Sequence, residues 1–213
     1  MRGEEVRKMM PHLILPLMLL SLASAGESGG WISLFDGKTL DGWRAEGHAA
    51  WAVQDGAIVG RQGPNNAAGD LYTRGEWADF ELECEYKVVW PANSGIWFRR
   101  NADQPGYQAD ILDEKDYPNT CSGSLYAMNT GFIAKNSNPE SVKKDGWNRL
   151  RMSAVGQEIL ITLNGKTVVN IRDNRFPKPG SIGIQVHPGK AFGPMQIRVR
   201  KIRLRSVSNT APQ

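Results

Sequence analysis

The chain has 213 residues, 40% of them apolar, with 26 basic and 22 acidic side chains giving a net charge of +4. That is enough apolar material for one sizeable core, and the mild, mixed charge argues against a nucleic-acid partner. The spacing of the two cysteines, Cys84 and Cys121, carries no metal or nucleophile signature.

In chain order, Arg2, Arg7 and Lys8 precede an apolar stretch from Leu13 to Leu22, and Ala23-Ser24-Ala25 follows. This reads as a signal peptide, residues 1–25, cut after Ala25, against the alternative of a retained anchor. Pro11, His12 and Pro16 interrupt the apolar run, which is shorter than the about 20 residues a membrane span needs. A secreted or periplasmic location is expected, with no membrane attachment after cleavage.

Period-two patterns then dominate. Strands are expected at Trp31 to Phe35, Trp51 to Val53, Ala57 to Gly60, Leu71 to Thr73, Phe80 to Val89, Gly95 to Arg99, Tyr107 to Leu112 and Ser124 to Met128. More are expected at Asn148 to Ala154, Glu158 to Leu163, Lys166 to Ile171, Ser181 to His187 and Met195 to Leu204. Asp55-Gly56 and Asn164-Gly165 each sit between two such runs and predict two-residue hairpins, because a type I′ turn needs positive φ at both positions. In the last strand the apolar set jumps from Val199 to Ile202, a change of parity that predicts a β-bulge near Arg200-Lys201. Helical spacing is nearly absent; Pro139 to Val142 can form one turn, capped by the residue ahead of the proline. Many short strands with no helices to cover them predict an all-β fold of two antiparallel sheets packed face to face. One domain is expected over residues 30–207, with a short disordered tail at 208–213. Cys84 shares the apolar face of its strand with Phe80, Leu82 and Tyr86, whereas Cys121 lies in a loop, so two separate thiols are expected. The basic stripe Arg198, Arg200, Lys201, Arg203 and Arg205 reads as a solvated outer face, the alternative being a patch that steers an acidic partner. Trp43, Trp51, Trp77 and Trp147 are assigned to core or turns.

Four strands carry a different signal. Ile96 and Phe98 point one way, Trp97 and Arg99 the other; Gln108 and Asp110 oppose Tyr107, Ala109 and Ile111. Ser124 and Tyr126 oppose Leu125 and Ala127, and Gln185 and His187 oppose Ile182, Ile184 and Val186. A merely solvated face would favour Lys, Glu and Thr. Trp, Arg, Gln, Asp, Tyr and His instead suit a small polar ligand the size of a sugar. The plainer readings are a turn role for His187, a surface ion pair for Arg99 with an acid such as Asp103, and loop solvation by Asp113, Glu114 and Asp116, which could otherwise hold calcium weakly.

Leu34-Phe35-Asp36-Gly37-Lys38-Thr39-Leu40-Asp41-Gly42-Trp43, Trp51-x-Val53-x-Asp55-Gly56-x-Ile58-Val59-Gly60, Asp79-Phe80-Glu81-Leu82, Asn93-Ser94-Gly95-Ile96-Trp97-Phe98-Arg99, Gly106-Tyr107-Gln108-Ala109-Asp110-Ile111, Gly123-Ser124-Leu125-Tyr126, Trp147-Asn148, Leu163-Asn164-Gly165 and Gly183-Ile184-Gln185-Val186-His187 occur in this order. Together they resemble the 3-keto-disaccharide hydrolase domain family. The resemblance implies a concanavalin A-like jelly-roll sandwich, a secreted protein, and action on glycosides oxidised at C3 of the sugar. Such a substrate has an acidified C2 proton, so one general base, donors to an enolate oxygen and a group near the leaving oxygen suffice. His187 and Asp110 are the candidate catalytic residues; Trp97, Arg99, Gln108, Tyr126 and Gln185 are the candidate substrate-binding residues. The expected partner is a carbohydrate, an oxidised glycoside or disaccharide, and the protein is expected to be a monomer. No cofactor is implied, and a divalent metal is left open.

Two rivals remain. The same sandwich hosts non-catalytic carbohydrate-binding modules. Gln108-x-Asp110-x-x-Asp113 also resembles the Glu-x-Asp-x-x-Glu strand of laminarinase-type glucanases, but an amide at the first position cannot be the nucleophile of a retaining glycosidase.

Overall fold

The computed structural model of the chain describes residues 30–113 and 117–208. The expected signal peptide, its cleavage site at Ala25, Glu114, Asp116 and the tail from Asn209 lie outside the described residues.

The described residues form fifteen strands: β1 (Ile32–Ser33), β2 (Trp43–Gly47), β3 (Ala50–Gln54), β4 (Ala57–Arg61), β5 (Gly69–Thr73), β6 (Phe80–Val89), β7 (Asn93–Arg100), β8 (Tyr107–Leu112), β9 (Cys121–Ala127), β10 (Gly131–Asn136), β11 (Asn148–Val155), β12 (Glu158–Leu163), β13 (Lys166–Arg172), β14 (Ser181–Val186) and β15 (Gln196–Ser206). Pairing is antiparallel throughout. One sheet runs β13-β12-β11-β6-β15-β4-β3, with β1 beside the far half of β15; the other runs β10-β9-β8-β7-β14-β5-β2. The fold is therefore the expected two-sheet jelly-roll sandwich.

Turn chemistry behaves as read. Asp55 and Gly56 have φ of 50° and 69°, and Asn164 and Gly165 of 51° and 85°, the conformation of the tight hairpins that join β3 to β4 and β12 to β13. Asn138 caps the 3-10 turn Pro139–Ser141 by accepting from the Glu140 amide. β2 and β10, absent from the expected strands, are the two edges of the second sheet. Trp43-Arg44-Ala45-Glu46-Gly47 and Gly131-Phe132-Ile133-Ala134-Lys135-Asn136 have no clean apolar alternation, as edge strands with water along one side do not need it.

Between the sheets, Phe80, Leu82, Cys84, Tyr86 and Val88 of β6 meet Ile96, Phe98, Tyr107, Ala109, Ile111, Leu125, Ile184 and Val186. Each large side chain removed from water contributes about 1.5–3 kcal/mol. Cys84 and Cys121 are both buried thiols, and burial pushes the Cys84 thiol up to about 12, so it serves as a small apolar group.

The basic stripe on β15 is matched by an acidic stripe on β6. Arg205 bonds Glu81, Arg203 bonds Glu83, and Arg200 and Lys201 both bond Glu85; Arg149 and Arg151 of β11 complete the rows from the other side. Its charge is spent on neighbours within the sheet. The bulge expected at Arg200-Lys201 is present: Lys201 has φ of 52° and the β15–β6 register shifts between Arg200 and Arg203.

Candidate active site

The open face of the second sheet is organised in rows fixed by strand register. In one row Asp110 of β8 faces Gly95 of β7, which faces Gln185 of β14. In the next, Phe132, Tyr126, Gln108, Trp97 and Gly183 face one another in turn across β10, β9, β8, β7 and β14. Two glycines open the floor between these side chains. A Cβ on Gly95 would lie 2.4–2.6 Å from the Gln108 side chain, and one on Gly183 would lie 2.4 Å from the Tyr72 ring, so both side chains lie flat across the neighbouring strand.

A pocket of about 230 Å³ sits over these rows, lined by Asn93, Trp97, Gln108, Asp110, Tyr117, Tyr126, Met128, Phe132, Gln185 and His187. Six of the seven residues singled out in the sequence are thus brought together. Asp110 and His187 lie two strands and two residues apart, about 12 Å between Cα atoms at ordinary sheet spacings.

Asp110 is buried, and among the described residues its Oδ1 has no hydrogen-bond partner. Removal from water raises its pKa to about 8, opposed only by a hydrogen bond from the Ile111 amide. Gln108 is equally buried, and its Nε2 is likewise without a partner among the described residues. Buried polar groups of this kind are rare and expensive unless a ligand completes them. His187 follows β14 directly and is half-buried. Its Nδ1 lies 2.8 Å from its neighbour Pro188's carbonyl oxygen, which can only accept, so Nδ1 is the donor in this contact. Its ring meets Phe192 edge to face at 5.1 Å. Trp97 is held by a hydrogen bond from its Nε1 to Asp70 Oδ1 at 3.0 Å. Burial raises the pKa of Asp70, while this bond, the Tyr72 hydroxyl and Arg100 oppose the rise.

Arg99 departs from the expected position. Its φ is 52°, the β7–β14 register shifts beside it, and its side chain turns away from the pocket, 1% exposed. There Nε donates to the Ala78 carbonyl and a terminal nitrogen pairs with Asp79 at 3.1 Å. The bulge arises because Gly180 packs against the Arg99–Arg100 backbone, where a Cβ would come within 2.3 Å, and Gln104 clamps the Arg99 carbonyl. Arg100 takes the open face instead. The surface pairing considered with Asp103 belongs to Lys178. Ser124 also departs: it is fully buried, bonding the Cys121 carbonyl and the Asn136 amide.

Sequence reasoning missed Asn93, Tyr117, Met128 and Phe132. Parity could have found two of them, since Asn93 lies two residues before Gly95 and Met128 two after Tyr126. Asn93 donates to the Tyr117 hydroxyl at 3.1 Å, and the rings of Tyr117 and Tyr126 meet Phe132 edge to face at 6.0 and 5.4 Å. Among the described residues, no cluster of three His, Cys, Asp or Glu side chains is arranged to hold a metal ion.

The chain is 28% identical over 184 residues to the 3-keto-disaccharide hydrolase of Bacteroides thetaiotaomicron, a match covering 70% of this chain and 61% of that protein. It therefore spans under two thirds of that relative's length. A Bacillus subtilis protein with a galectin-like fold superposes with a TM-score of 0.66 at 13% identity, covering 86% of this chain and 97% of the other. The carbohydrate-binding module CBM66 of Bacillus subtilis superposes at 0.60 with 19% identity, covering 78% and 96%. These two likenesses concern the fold alone. Residues 30–205 match the family described as the 3-keto-alpha-glucoside-1,2-lyase-like domain, and the chain belongs to that family.

Proposed function

We propose that this protein hydrolyses the glycosidic bond of 3-keto-glycosides and 3-keto-disaccharides by elimination followed by hydration. Asp110 is the residue on which this rests: a carboxyl group on the pocket wall, stripped of water and with one oxygen lacking a partner among the described residues. With its pKa near 8 the group is mostly protonated at neutral pH, but its ionised fraction is a far stronger base than an ordinary carboxylate.

In the proposed reaction Asp110 takes the C2 proton, and the C–H electron pair forms an enolate with its charge on the C3 oxygen. Gln108 Nε2 donates to that oxygen. Collapse of the enolate restores the ketone, forms the C1–C2 double bond and breaks the bond from C1 to the leaving oxygen. That oxygen departs with the bonding pair and gains the Nε2 proton of His187, which must enter this step as the imidazolium, at the pocket edge. Water then adds at C1, giving one proton to the now neutral His187, while Asp110 returns its proton to C2. Trp97, Tyr126 and Gln185 hold the ring. Direct displacement has no candidate nucleophile at the first position of the glucanase-like strand, which is Gln108.

The test is to incubate the purified protein with a 3-keto-glucoside and with its unoxidised parent and to follow aglycone release. Cleavage of the keto sugar alone is expected, with Asp110→Asn and His187→Ala each lowering turnover by about a hundredfold or more. Equal cleavage of both substrates, or full activity in both variants, refutes the mechanism; binding without cleavage assigns the chain to the carbohydrate-binding modules. We also propose export with removal of residues 1–25, for which the basic start and the Ala23-Ser24-Ala25 site are the support. An intact Met1 on the protein recovered from outside the cytoplasm would refute it.

A further inference from the structure

The pocket occupies only part of the open face of its sheet. Toward β10 it is closed by the rings of Tyr126, Phe132 and Tyr117. Toward β2 the same rows continue: Gln185 faces Asp70, which faces Glu46, and Gly183 faces Tyr72, which faces Arg44. The bulge at Arg99 delivers Arg100 to this region. The guanidinium carbons of Arg100 and Arg44 lie 4.6 and 5.4 Å from the centre of the Tyr72 ring, and both arginines pair with Glu46. Beneath them Tyr72 is itself buried, lying over Gly183. The side chains of Arg44, Glu46 and Arg100 stay 41%, 40% and 32% exposed. Trp97 links the two regions, lining the pocket and bonding Asp70 beyond it.

We propose that Arg44, Glu46 and Arg100, on their Tyr72 base, form the subsite for the leaving half of the substrate, and that its occupant is a neutral, unoxidised sugar ring. This rests on the activity proposed above. With the oxidised ring held against Asp110, the C1 substituent must leave the pocket along the sheet, and the aromatic wall bars the way toward β10. The open direction crosses β14 to β5, two strand spacings or roughly 10 Å from Gly95. The chemistry there selects the occupant. Forked guanidinium donors alternate with carboxyl acceptors, which suits vicinal hydroxyls that both give and receive hydrogen bonds. An anionic group would meet Glu46 and Asp70. An alkyl or aryl group would cover these charges without bonding them, an unfavourable exchange.

The test compares a 3-keto-disaccharide with methyl 3-keto-glucoside as substrates for wild type, Arg100→Ala and Glu46→Gln. For both variants the ratio of kcat/KM for the disaccharide to that for the methyl glycoside should fall about tenfold, carried by KM. An unchanged ratio, whether both values fall together or neither does, overturns the subsite. Should wild type cleave neither compound, the proposed activity is what has failed, and calorimetric titration of the same two ligands decides the subsite separately. Weaker disaccharide binding in Arg100→Ala with a smaller change for the methyl glycoside supports it. Equal changes, or no disaccharide binding by wild type, overturn it. Glu46→Gln alters an exposed group by one atom, so it keeps the comparison open if Arg100→Ala disturbs the fold.

Discussion

Asp110→Asn should change how stability depends on pH as well as how the protein works. The buried carboxyl titrates near 8 in the fold and near 3.8 in an unfolded chain. Between those values the folded state keeps a proton that the unfolded state has released, so stability is fully present below about pH 4 and is lost as pH rises toward 8. Above 8 both states are ionised and the loss levels off. At about 1.4 kcal/mol per pH unit between the two titrations, the loss is on the order of 5 kcal/mol, a large part of the stability of an ordinary domain. Asparagine has the same shape and no titration. Urea unfolding at pH 5 and pH 9 should therefore show the wild type losing stability and Asp110→Asn losing much less. With a slope of about 1–3 kcal/mol per molar urea, the wild-type midpoint should move by about 1 M or more relative to the variant. Parallel curves for the two proteins across this range would mean that Asp110 ionises near its ordinary value, and the case for it as a base tuned by burial would fall.

Gly95→Ala suits the extended backbone of β7, but its Cβ would lie within 2.6 Å of the Gln108 carboxamide. Turnover should drop about a hundredfold, the worth of one enolate donor, while the melting temperature changes little; retained turnover would remove Gln108 from that role. Arg99→Met should leave Asp79 and the Ala78 carbonyl without their guanidinium partner and destabilise the fold by about 3 kcal/mol in chemical denaturation. On the outer face of the other sheet, Arg203→Ala should cost less than about 1 kcal/mol, since its side chain is 48% exposed and Arg149 and Arg151 still neutralise Glu83.

The two bulges show what a single sequence makes legible. At Arg200-Lys201 the strand continues with core residues, so the jump from Val199 to Ile202 records the extra residue. Arg99-Arg100 ends its strand, and two adjacent arginines look the same whichever of them faces inward. The information that decides between them lies far along the chain: Asp79 receives the guanidinium, Gln104 holds the carbonyl, and Gly180 makes room for the backbone. Local parity had no access to any of these. Ser124 was misplaced similarly, because Gly123 adopts a φ of 92° and the β9–β10 register is irregular beside it.

The site itself was largely readable because a β-sheet converts a one-dimensional alternation into a two-dimensional surface. Once Trp97, Gln108, Tyr126, Gln185 and Asp110 occupy the outward positions of neighbouring strands, antiparallel register places them side by side. Their chemical state was not readable. Asp110 has an altered pKa because Tyr117, Met128 and Phe132, brought in by a loop, a strand end and an edge strand, line the pocket around it and help to exclude water. Residue identity thus gave the groups available for chemistry, while three residues with no catalytic atoms of their own help to set the proton affinity of Asp110, the one carboxyl among the described residues that line the pocket. Enlarging the opening there, by Phe132→Ala at the sheet edge, should lower the Asp110 pKa toward the ordinary carboxylate range and carry the acid limb of the pH–rate profile with it.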